Sequence, residues 1–344
     1  GPAGRCRVCS VRTSAKRSCA GYSGRYCFSC GRRRKMIFLG LDTSNYACSG
    51  ALYDRDSREI LANIRFDLPV REGALGLRQS DAVFEQVRLL PAVFDKLREY
   101  PLASVKAAAV SAAPTGAVGS YMPCFLSGVS AAEAFALGAG IPLYRTDHQT
   151  GHVLAAVHGC KAYELYSKSF YAVHLSGGTT DIVRCDCTQS VPKLERVAGS
   201  ADLHAGQCVD RVGKLLGMPF PAGQALSAAA ALCADPIRPK ASRAAGGCSL
   251  SGLQNRCEAL WSAGESRERV ARFCLESIAE SVFRLAQEHC AGLPVVMSGG
   301  VSSSEIIRDY LIKRDRRFLF SDPVLCRDNA VGVAICASRL YSEG

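Results

Sequence analysis

The chain has 344 residues, 48% of them hydrophobic, which is enough apolar material for a sizeable core in two domains or two lobes. No apolar run approaches the roughly 20 residues that a membrane-spanning helix needs, and the N-terminus lacks the apolar core of a secretion signal, so we expect a cytoplasmic protein and no membrane partner. Of the 42 Lys and Arg residues, ten lie in residues 1–35, which contain no acidic residue, so the remainder is close to neutral and its composition does not indicate nucleic-acid binding.

Residues 1–35 form a basic, cysteine-rich leader. Its pairs Cys6-x2-Cys9 and Cys27-x2-Cys30 are separated by 17 residues, a spacing that is typical of zinc ribbons. Such a unit would fold only around its metal, because it has almost no aliphatic residues. We favour the alternative that the leader is non-native or disordered, since Met36 opens a more convincing first strand. From Cys48 onward the cysteines show no framework spacing, and we expect them to be buried thiols in a reducing compartment.

From Met36 the sequence alternates strand-like and helix-like segments. In the first half the pattern predicts strands at 36–41, 47–53, 59–66, 107–112 and 143–146, and helices at 80–100 and 128–138. In the second half it predicts strands at 171–175, 180–185 and 294–297, and helices at 207–216, 224–233, 267–289, 303–313 and 328–340. Both halves open with strand, turn and strand, which predicts a duplicated α/β unit with a cleft between two lobes. We place these lobes at residues 36–165 and 166–325, with a closing helix in 326–344.

The segment His148–His152 places two imidazoles four residues apart. On a helix such residues share one face, so both rings can reach a single metal ion. In zinc proteases of the His-Glu-x-x-His type the glutamate is the general base, but the residue at that position here is Gln149, which cannot accept a proton. The sequence therefore predicts a metal site and excludes that protease mechanism. Asp328 is either the N-cap of the last helix or a third ligand of this ion.

Glycine-rich turns follow two apolar strands of the second half. In Leu175–Asp181 the paired glycines let backbone N–H groups approach a phosphate, and in Ser298–Ser302 a strand leads into a helix whose N-terminus would hold an anion. Asp42–Ser44, after the first strand, is a third candidate of this kind or simply a capped turn. Asp210 either accepts hydrogen bonds from a ribose or is a solvated helix charge. The other histidines lack a partner at metal spacing and are interpreted as structural: His158, His174, His204 and His289.

Taken in chain order, these motifs resemble one family, the TsaD-type tRNA N6-adenosine threonylcarbamoyltransferases, formerly called O-sialoglycoprotein endopeptidases or glycoprotease-like proteins. The resemblance runs from Met36 to about Leu340. Seven motifs carry it: Gly40–Ser44, His148–His152, Leu175–Gly178, Asp210 with Gly223, Ser249–Leu253, Gly299–Val301 and Arg327–Ala330. Each motif alone is modest evidence for the family, but seven motifs in this order are highly specific for it. The resemblance implies an actin-like, sugar-kinase-like ATPase fold with two RNase H-like lobes around a central cleft.

The resemblance also implies a site and a reaction. His148, His152 and Asp328 would bind one divalent ion, Fe2+ or Zn2+. The substrate-binding residues would be His174, Leu175, Ser176, Gly177, Gly178, Asp210, Gly223 and Ser304. The implied reaction transfers the threonylcarbamoyl group from threonylcarbamoyl-AMP to N6 of adenosine 37 in ANN-reading tRNA, with no residue assigned as general base. The implied partners are this adenylate or an ATP-like nucleotide, tRNA, and accessory tRNA-threonylcarbamoylation proteins, with a heterodimer as one expected assembly.

Several positions depart from the family pattern. Thr179 replaces a histidine beside the phosphates, Gln207 replaces an acid, and Ser304 stands where an asparagine would contact the nucleotide. These changes support an alternative, a divergent paralog that acts as a metal-dependent carbamoyltransferase or ATPase on a substrate other than tRNA. A metal-dependent peptidase is disfavoured by Gln149. A non-catalytic nucleotide-binding partner is disfavoured because the three metal ligands are kept.

Overall fold

The computed structural model of the chain describes residues 35–69 and 77–342. The basic, cysteine-rich leader, for which zinc binding and a non-native or disordered segment were the two interpretations, lies outside these described residues except for Lys35. The strands are β1 Ile37–Thr43, β2 Ala47–Asp54, β3 Glu59–Asp67, β4 Val105–Ala113, β5 Leu143–Asp147, β6 Ser169–Leu175, β7 Thr180–Asp186, β8 Lys193–Ser200, β9 Arg243–Ala244, β10 Gly247–Cys248, β11 Val295–Ser298 and β12 Phe318–Phe320.

Nine α-helices occur within the described residues. They are α1 Gln79–Leu97, α2 Phe125–Ala139, α3 His148–Gly159, α4 Ala205–Leu215, α5 Gly223–Ala231, α6 Leu250–Ser262, α7 Arg267–His289, α8 Glu305–Arg314 and α9 Val331–Leu340. None of these helices has the combination of length and apolar composition that spanning a bilayer requires.

The two β-sheets repeat one strand arrangement. In the first sheet the order is β3-β2-β1-β4-β5, with antiparallel pairing among β1, β2 and β3 and parallel pairing of β4 with β1 and β5. In the second sheet the order is β12-β11-β6-β7-β8-β10-β9, in which β6, β7 and β8 are antiparallel and β11 is parallel to β6 and β12. The run β8-β7-β6-β11-β12 thus matches the whole first sheet. The predicted pair of related α/β units is confirmed, whereas the β9–β10 hairpin, β8, β12 and α6 were not predicted.

β1 is buried on both faces, which explains its unbroken apolar run. Because side chains alternate along a strand, Ile37, Leu39 and Leu41 pack with α1 and α2, and Phe38 packs with α9 on the opposite face. The second sheet is covered in the same way. Its outer face packs against α4 to α8, and its inner face packs against α3. Each sheet therefore has its inner face covered by a helix from elsewhere in the chain, α9 for the first sheet and α3 for the second.

α3 and α9 cross in direct contact between the two sheets. The crossing is made by glycines: a Cβ on Gly332 would overlap the carbonyl oxygen of Gly151, and a Cβ on Gly151 would lie 3.1 Å from Val333 Cγ2. Without side chains at these two positions, the helix backbones come close together. The crossing brings the start of α3 and the turn before α9 to one place, which is where the predicted metal ligands lie.

Candidate functional site

The three predicted metal ligands converge at this crossing. His148 is the first residue of α3, which is capped by Asp147 through a 2.9 Å hydrogen bond from the Thr150 amide, and His152 follows one turn later. The Nε2 atoms of the two histidines are 3.0 Å apart. Asp328 Oδ1 lies 3.2 Å from Nε2 of His152 and 3.7 Å from Nε2 of His148.

Asp328 lies in the turn before α9 and does not cap it. The helix begins at Val331 with Ala330 as N-cap, and Asn329 Oδ1 accepts a 2.9 Å hydrogen bond from the Val331 amide. The predicted helix start at 328 and the N-cap interpretation of Asp328 were therefore wrong. Because Asn329 takes over the local hydrogen bonding, the Asp328 carboxylate can face the histidines.

The spacing of the ligand atoms fits a divalent transition metal. One nitrogen from each histidine and one oxygen from Asp328 all lie within 4.8 Å of one another. Ligands about 2.0–2.1 Å from a tetrahedral ion are about 3.3 Å apart, and the observed separations of 3.0, 3.2 and 3.7 Å bracket that value. Two imidazoles and one carboxylate are also a donor set that zinc and iron accept.

The charges around the ligands favour a cation. Asp42, only 1% exposed, accepts a 2.8 Å hydrogen bond from Nδ1 of His148. Burial lowers the pKa of His148, but Asp42 and Asp328 outweigh it and raise the pKa to about 9. Burial raises the pKa of Asp328, yet His152, His148 and Ser44 bring it well below its usual range. Buried carboxylates are costly without positive charge, which an imidazolium or a divalent ion at this point supplies.

His174, which spacing alone indicated to be structural and which the resemblance implied to be substrate-binding, lies against this cluster. Its ring centroid is 4.7 Å from that of His152, and its Nδ1 is 3.0 Å from Ser298 Oγ. The Ser298 hydroxyl is also 3.4 Å from the carbonyl of Val173; when it donates there, it accepts from Nδ1–H of His174 and leaves Nε2 of that ring as an acceptor. Burial, together with His152, lowers the pKa of His174 to about 3 and keeps this ring neutral. Sequence spacing could not reveal the contact, because the two histidines come from different halves.

The predicted phosphate turn directly follows His174. Ser176 Oγ accepts hydrogen bonds from the amides of Gly178 at 3.3 Å and Thr179 at 3.1 Å, which fixes the turn. The Gly206 amide donates to the carbonyl of Ser176 at 2.9 Å, and a Cβ on Gly206 would lie 2.6 Å from the Gly177 nitrogen. The N-terminus of α4 therefore packs against the turn, while Gly177 and Gly178 stay exposed.

Asp210, Gly223 and Ser304 form a second group around α5. Asp210 Oδ1 accepts a 2.8 Å hydrogen bond from the amide of Ala222, directly before Gly223. Burial raises the pKa of Asp210, and the Ala222 bond opposes that rise. Ser304 Oγ is 3.0 Å from Oγ of Ser227 on α5. Within residues 35–69 and 77–342 no hydrogen bond or ion pair joins this group to the metal triad, so a ligand that used both would have to bridge them.

The departures from the family pattern have local structural roles. Gln207 Oε1 accepts a 3.1 Å hydrogen bond from the His204 amide at the start of α4, and Arg211, which stands where the family pattern has a lysine, donates to Gln254 at 3.2 Å. The Ser249–Leu253 motif begins α6, where Asp202 accepts hydrogen bonds from the Leu250 amide at 2.9 Å and Ser249 Oγ at 2.7 Å. Asp202 is thus a capping residue that the sequence analysis missed.

Comparison with known proteins points to one family. The family model described as TsaD, tRNA N6-adenosine threonylcarbamoyltransferase, matches residues 86–335. A Lactobacillus acidophilus protein described as tRNA N6-adenosine threonylcarbamoyltransferase is 30% identical over an alignment of 267 residues, which covers 70% of this chain and 71% of that relative.

Solved structures agree on the fold. Component A of the (R)-2-hydroxyglutaryl-CoA dehydratase of Acidaminococcus fermentans superposes with a TM-score of 0.52 at 15% identity, covering 88% of this chain and 97% of that chain. HypF of T. kodakarensis gives a TM-score of 0.57 at 13% identity, covering 90% of this chain and 48% of that chain. At such low identities these matches concern the fold alone. The predicted α/β class and actin-like, sugar-kinase-like fold are confirmed.

Proposed function

The chain belongs to the tRNA N6-adenosine threonylcarbamoyltransferase family, and from this membership we propose that it transfers the threonylcarbamoyl group of threonylcarbamoyl-AMP to N6 of adenosine 37 in ANN-reading tRNA. In this reaction N6 forms a bond to the carbamoyl carbon and loses a proton. The bond from that carbon to the phosphate oxygen breaks, and AMP leaves. One observation carries the proposal: His148, His152 and Asp328 converge beside a histidine that leads directly into the Ser176–Gly178 turn.

The metal ligands would act through defined atoms. His148 and His152 would bind a divalent ion, Fe2+ or Zn2+, through Nε2, and Asp328 would bind it through Oδ1. When bound, such an ion supplies Lewis-acid polarisation of the carbonyl and balances charge on the leaving phosphate. The protein contributes by holding three ligand atoms together at a point that both halves of the chain build.

The remaining predicted residues would bind the adenylate. Backbone donors of Ser176–Gly178 would hold its phosphate. Asp210 would accept hydrogen bonds from the ribose with the oxygen that does not bind Ala222, and Gly223 would leave room for the nucleoside. Ser304, directly before α8, would contact the same nucleoside. Held in this way, the carbonyl faces the incoming amine, and positioning supplies much of the rate.

His174 would contact the reacting groups between the metal triad and the phosphate turn. Its neutral ring has Nε2 as an acceptor, so it would accept a hydrogen bond from an N–H of the attacking amine and orient the nitrogen lone pair. This interaction needs no proton transfer to the ring. It gives the imidazole a role beside the phosphates although Thr179 has replaced the family histidine there.

Calorimetry tests the proposal directly. We expect the metal-loaded full chain to bind threonylcarbamoyl-AMP with micromolar or better affinity, and Asp210→Ala to weaken binding about tenfold or more through loss of a charged hydrogen bond. We expect His148→Ala to lose both metal retention and transfer to tRNA. Gln149→Ala is the matched control, because it lies between the two ligands in the same helix and should keep both properties. Full transfer by metal-free protein would contradict the proposal.

The altered positions support one alternative function. Gln207, which replaces the family acid, accepts from the His204 amide at the start of α4, and Ser304, which replaces the asparagine expected at the nucleotide, bonds to Ser227. A divergent paralog would use the same metal and fold for carbamoyl transfer to another substrate, or for ATP hydrolysis. Folded, metal-retaining protein that binds ATP but not threonylcarbamoyl-AMP would favour this alternative.

We also propose accessory proteins that deliver tRNA, and a cytoplasmic location. An apolar groove of 620 Å³ between α1 and α2 would suit an accessory protein that presents an apolar helix face. Val87 and Leu126, which line it, are 59% and 50% exposed. Such a contiguous exposed apolar surface is typical of a protein interface. The cysteines of the described residues are free thiols and all but Cys160 are buried, which is consistent with a reducing compartment.

A further inference from the structure

The turn Asp42–Ser44 at the end of β1 contacts two of the three ligand residues. Asp42 Oδ2 accepts from Nδ1 of His148 at 2.8 Å and also from the hydroxyl of Ser111, while Asp42 Oδ1 accepts from the Ser44 amide at 3.1 Å. Ser44 Oγ donates to Oδ2 of Asp328 at 2.9 Å. One short segment therefore holds a ligand from α3 and a ligand from the turn before α9, which lie 106 and 284 residues away in sequence.

We propose that Asp42 and Ser44 are positioning residues of the metal site, an inference that rests on the metal binding in the proposed function. By accepting Nδ1–H, Asp42 fixes the His148 tautomer in which Nε2 carries the lone pair that a metal needs. By occupying Oδ2 of Asp328, Ser44 leaves Oδ1 for the ion. For both His148 and Asp328, the turn thus determines which atom is left for the ion and how the ring or carboxylate is oriented.

The middle residue of the turn shows that this arrangement is specific to Asp42 and Ser44. Thr43 Oγ1 accepts from the Gly128 amide at 3.2 Å and donates to the carbonyl of Cys124 at 3.1 Å, so its side chain faces α2 and not the ligands. Asp42 and Thr43 are both almost fully buried. Substituting Thr43 therefore removes buried hydrogen bonds that do not involve a metal ligand, whereas substituting Asp42 removes a buried hydrogen bond to the ligand His148.

The zinc binding of the full chain that His148→Ala abolishes, measured by competition with a chelator, tests the inference. We expect Asp42→Asn to weaken Zn2+ binding about 10–100-fold and Ser44→Ala to weaken it about tenfold, because these bonds orient the ligands. Asp42→Glu, which keeps a carboxylate, should recover part of the affinity. Thr43→Val should lower thermal stability and leave the affinity unchanged. The absorption spectrum of the Co2+ form should change for Asp42→Asn and not for Thr43→Val.

Nitrogen NMR of the unmodified zinc-loaded protein tests the inference without depending on whether a variant folds. We expect His148 to carry its proton on Nδ1. A proton on Nε2 of His148, or zinc affinities of Asp42→Asn and Ser44→Ala equal to that of the unmodified protein, would overturn the positioning role alone. Unmodified protein that binds neither Zn2+ nor Fe2+ would overturn the metal site and this inference together.

Discussion

At the residue scale, the surroundings of His148 and His174 shift the pKa values of these two histidines in opposite directions. Both rings are partly buried, which lowers the pKa of any imidazole. His148 faces Asp42 and Asp328, and these acids raise its pKa to about 9. His174 faces the ring of His152 and the hydroxyl of Ser298, and burial lowers its pKa to about 3. The first ring is thus suited to a cation site and the second to a neutral hydrogen-bonding role.

Replacing His174 with Leu tests whether this histidine contributes to the transfer reaction without binding the metal. The substitution puts an apolar side chain of similar size near the end of β6 and removes both ring nitrogens, and because His174 is not one of the three ligands we expect zinc affinity close to that of the unmodified protein. We expect the rate of threonylcarbamoyl transfer to fall about tenfold or more, as for loss of one well-placed hydrogen bond. Chelator competition and single-turnover transfer assays measure the two quantities. A large loss of zinc affinity would instead make His174 a metal ligand.

At the scale of elements, the site depends on how closely α3 and α9 approach. Residues Val331–Ser338 of α9 are all buried, and Gly151 and Gly332 let this helix contact α3 through its backbone. Gly40 has the same role on β1, since a Cβ there would overlap the Ala330 carbonyl and the Ala334 amide. The position of Asp328 relative to the histidines is therefore set by backbone packing around it.

Gly332→Ala should disturb this packing. Because its Cβ would overlap the Gly151 carbonyl, the helices must separate, and we expect a loss of about 1–3 kcal/mol in the free energy of unfolding together with weaker zinc binding. Gly138→Ala is the matched control, since Gly138 lies in α2 and a Cβ there would have nothing within 4 Å. That change should stabilise the helix by about 0.5–1 kcal/mol. Denaturant unfolding and chelator competition check both; an unchanged zinc affinity in Gly332→Ala would contradict the packing argument.

The sequence predicted those elements whose burial leaves a simple pattern. β1 appeared as an unbroken apolar run, α7 was predicted at its observed bounds, and the i, i+4 pair of His148 and His152 lies on a helix. The start of α9 was misplaced because the hydrogen bonds of Asn329 are local and invisible in periodicity. The contacts of Asp42 and His174 could not be predicted, since both join residues more than 20 positions apart that only the fold brings together.

At the scale of the whole molecule, the two sheets bury their inner faces on α3 and α9 and their outer faces on the helices of their own half. One outer surface of the first half remains apolar. Phe84, Val87 and Leu126 are at least half exposed along α1 and α2, where the groove proposed for an accessory protein lies. A partner bound there would contact α1 and α2, and the first residue of α2, Phe125, itself contacts His148 with ring centroids 5.9 Å apart.

A double variant, Val87→Glu with Leu126→Glu, tests this surface. The charges would be desolvated in an apolar interface, so we expect association with the accessory proteins of the same organism to weaken at least tenfold. Threonylcarbamoyl-AMP and zinc binding should not change. Val191→Glu is the control, because Val191 is 55% exposed on the loop between β7 and β8, outside the groove. Light scattering on the protein alone tests whether a second copy of the chain binds this surface instead. A dimer that the double variant disrupts would show that the surface is a dimer interface and not the site of an accessory protein.

The glycine crossing also has a kinematic consequence. In a rigid rotation, points near the axis move least and distant points sweep the longest arcs. If the two halves rotate about the contact between Gly151 and Gly332, the nearby His148, His152 and Asp328 keep their mutual distances. Asp210 on α4 and Ser304 directly before α8, which belong to the outer layer of the second sheet, would travel farther. Such a rotation would therefore change the distance from Asp210 and Ser304 to the triad far more than the spacing of the three ligand residues.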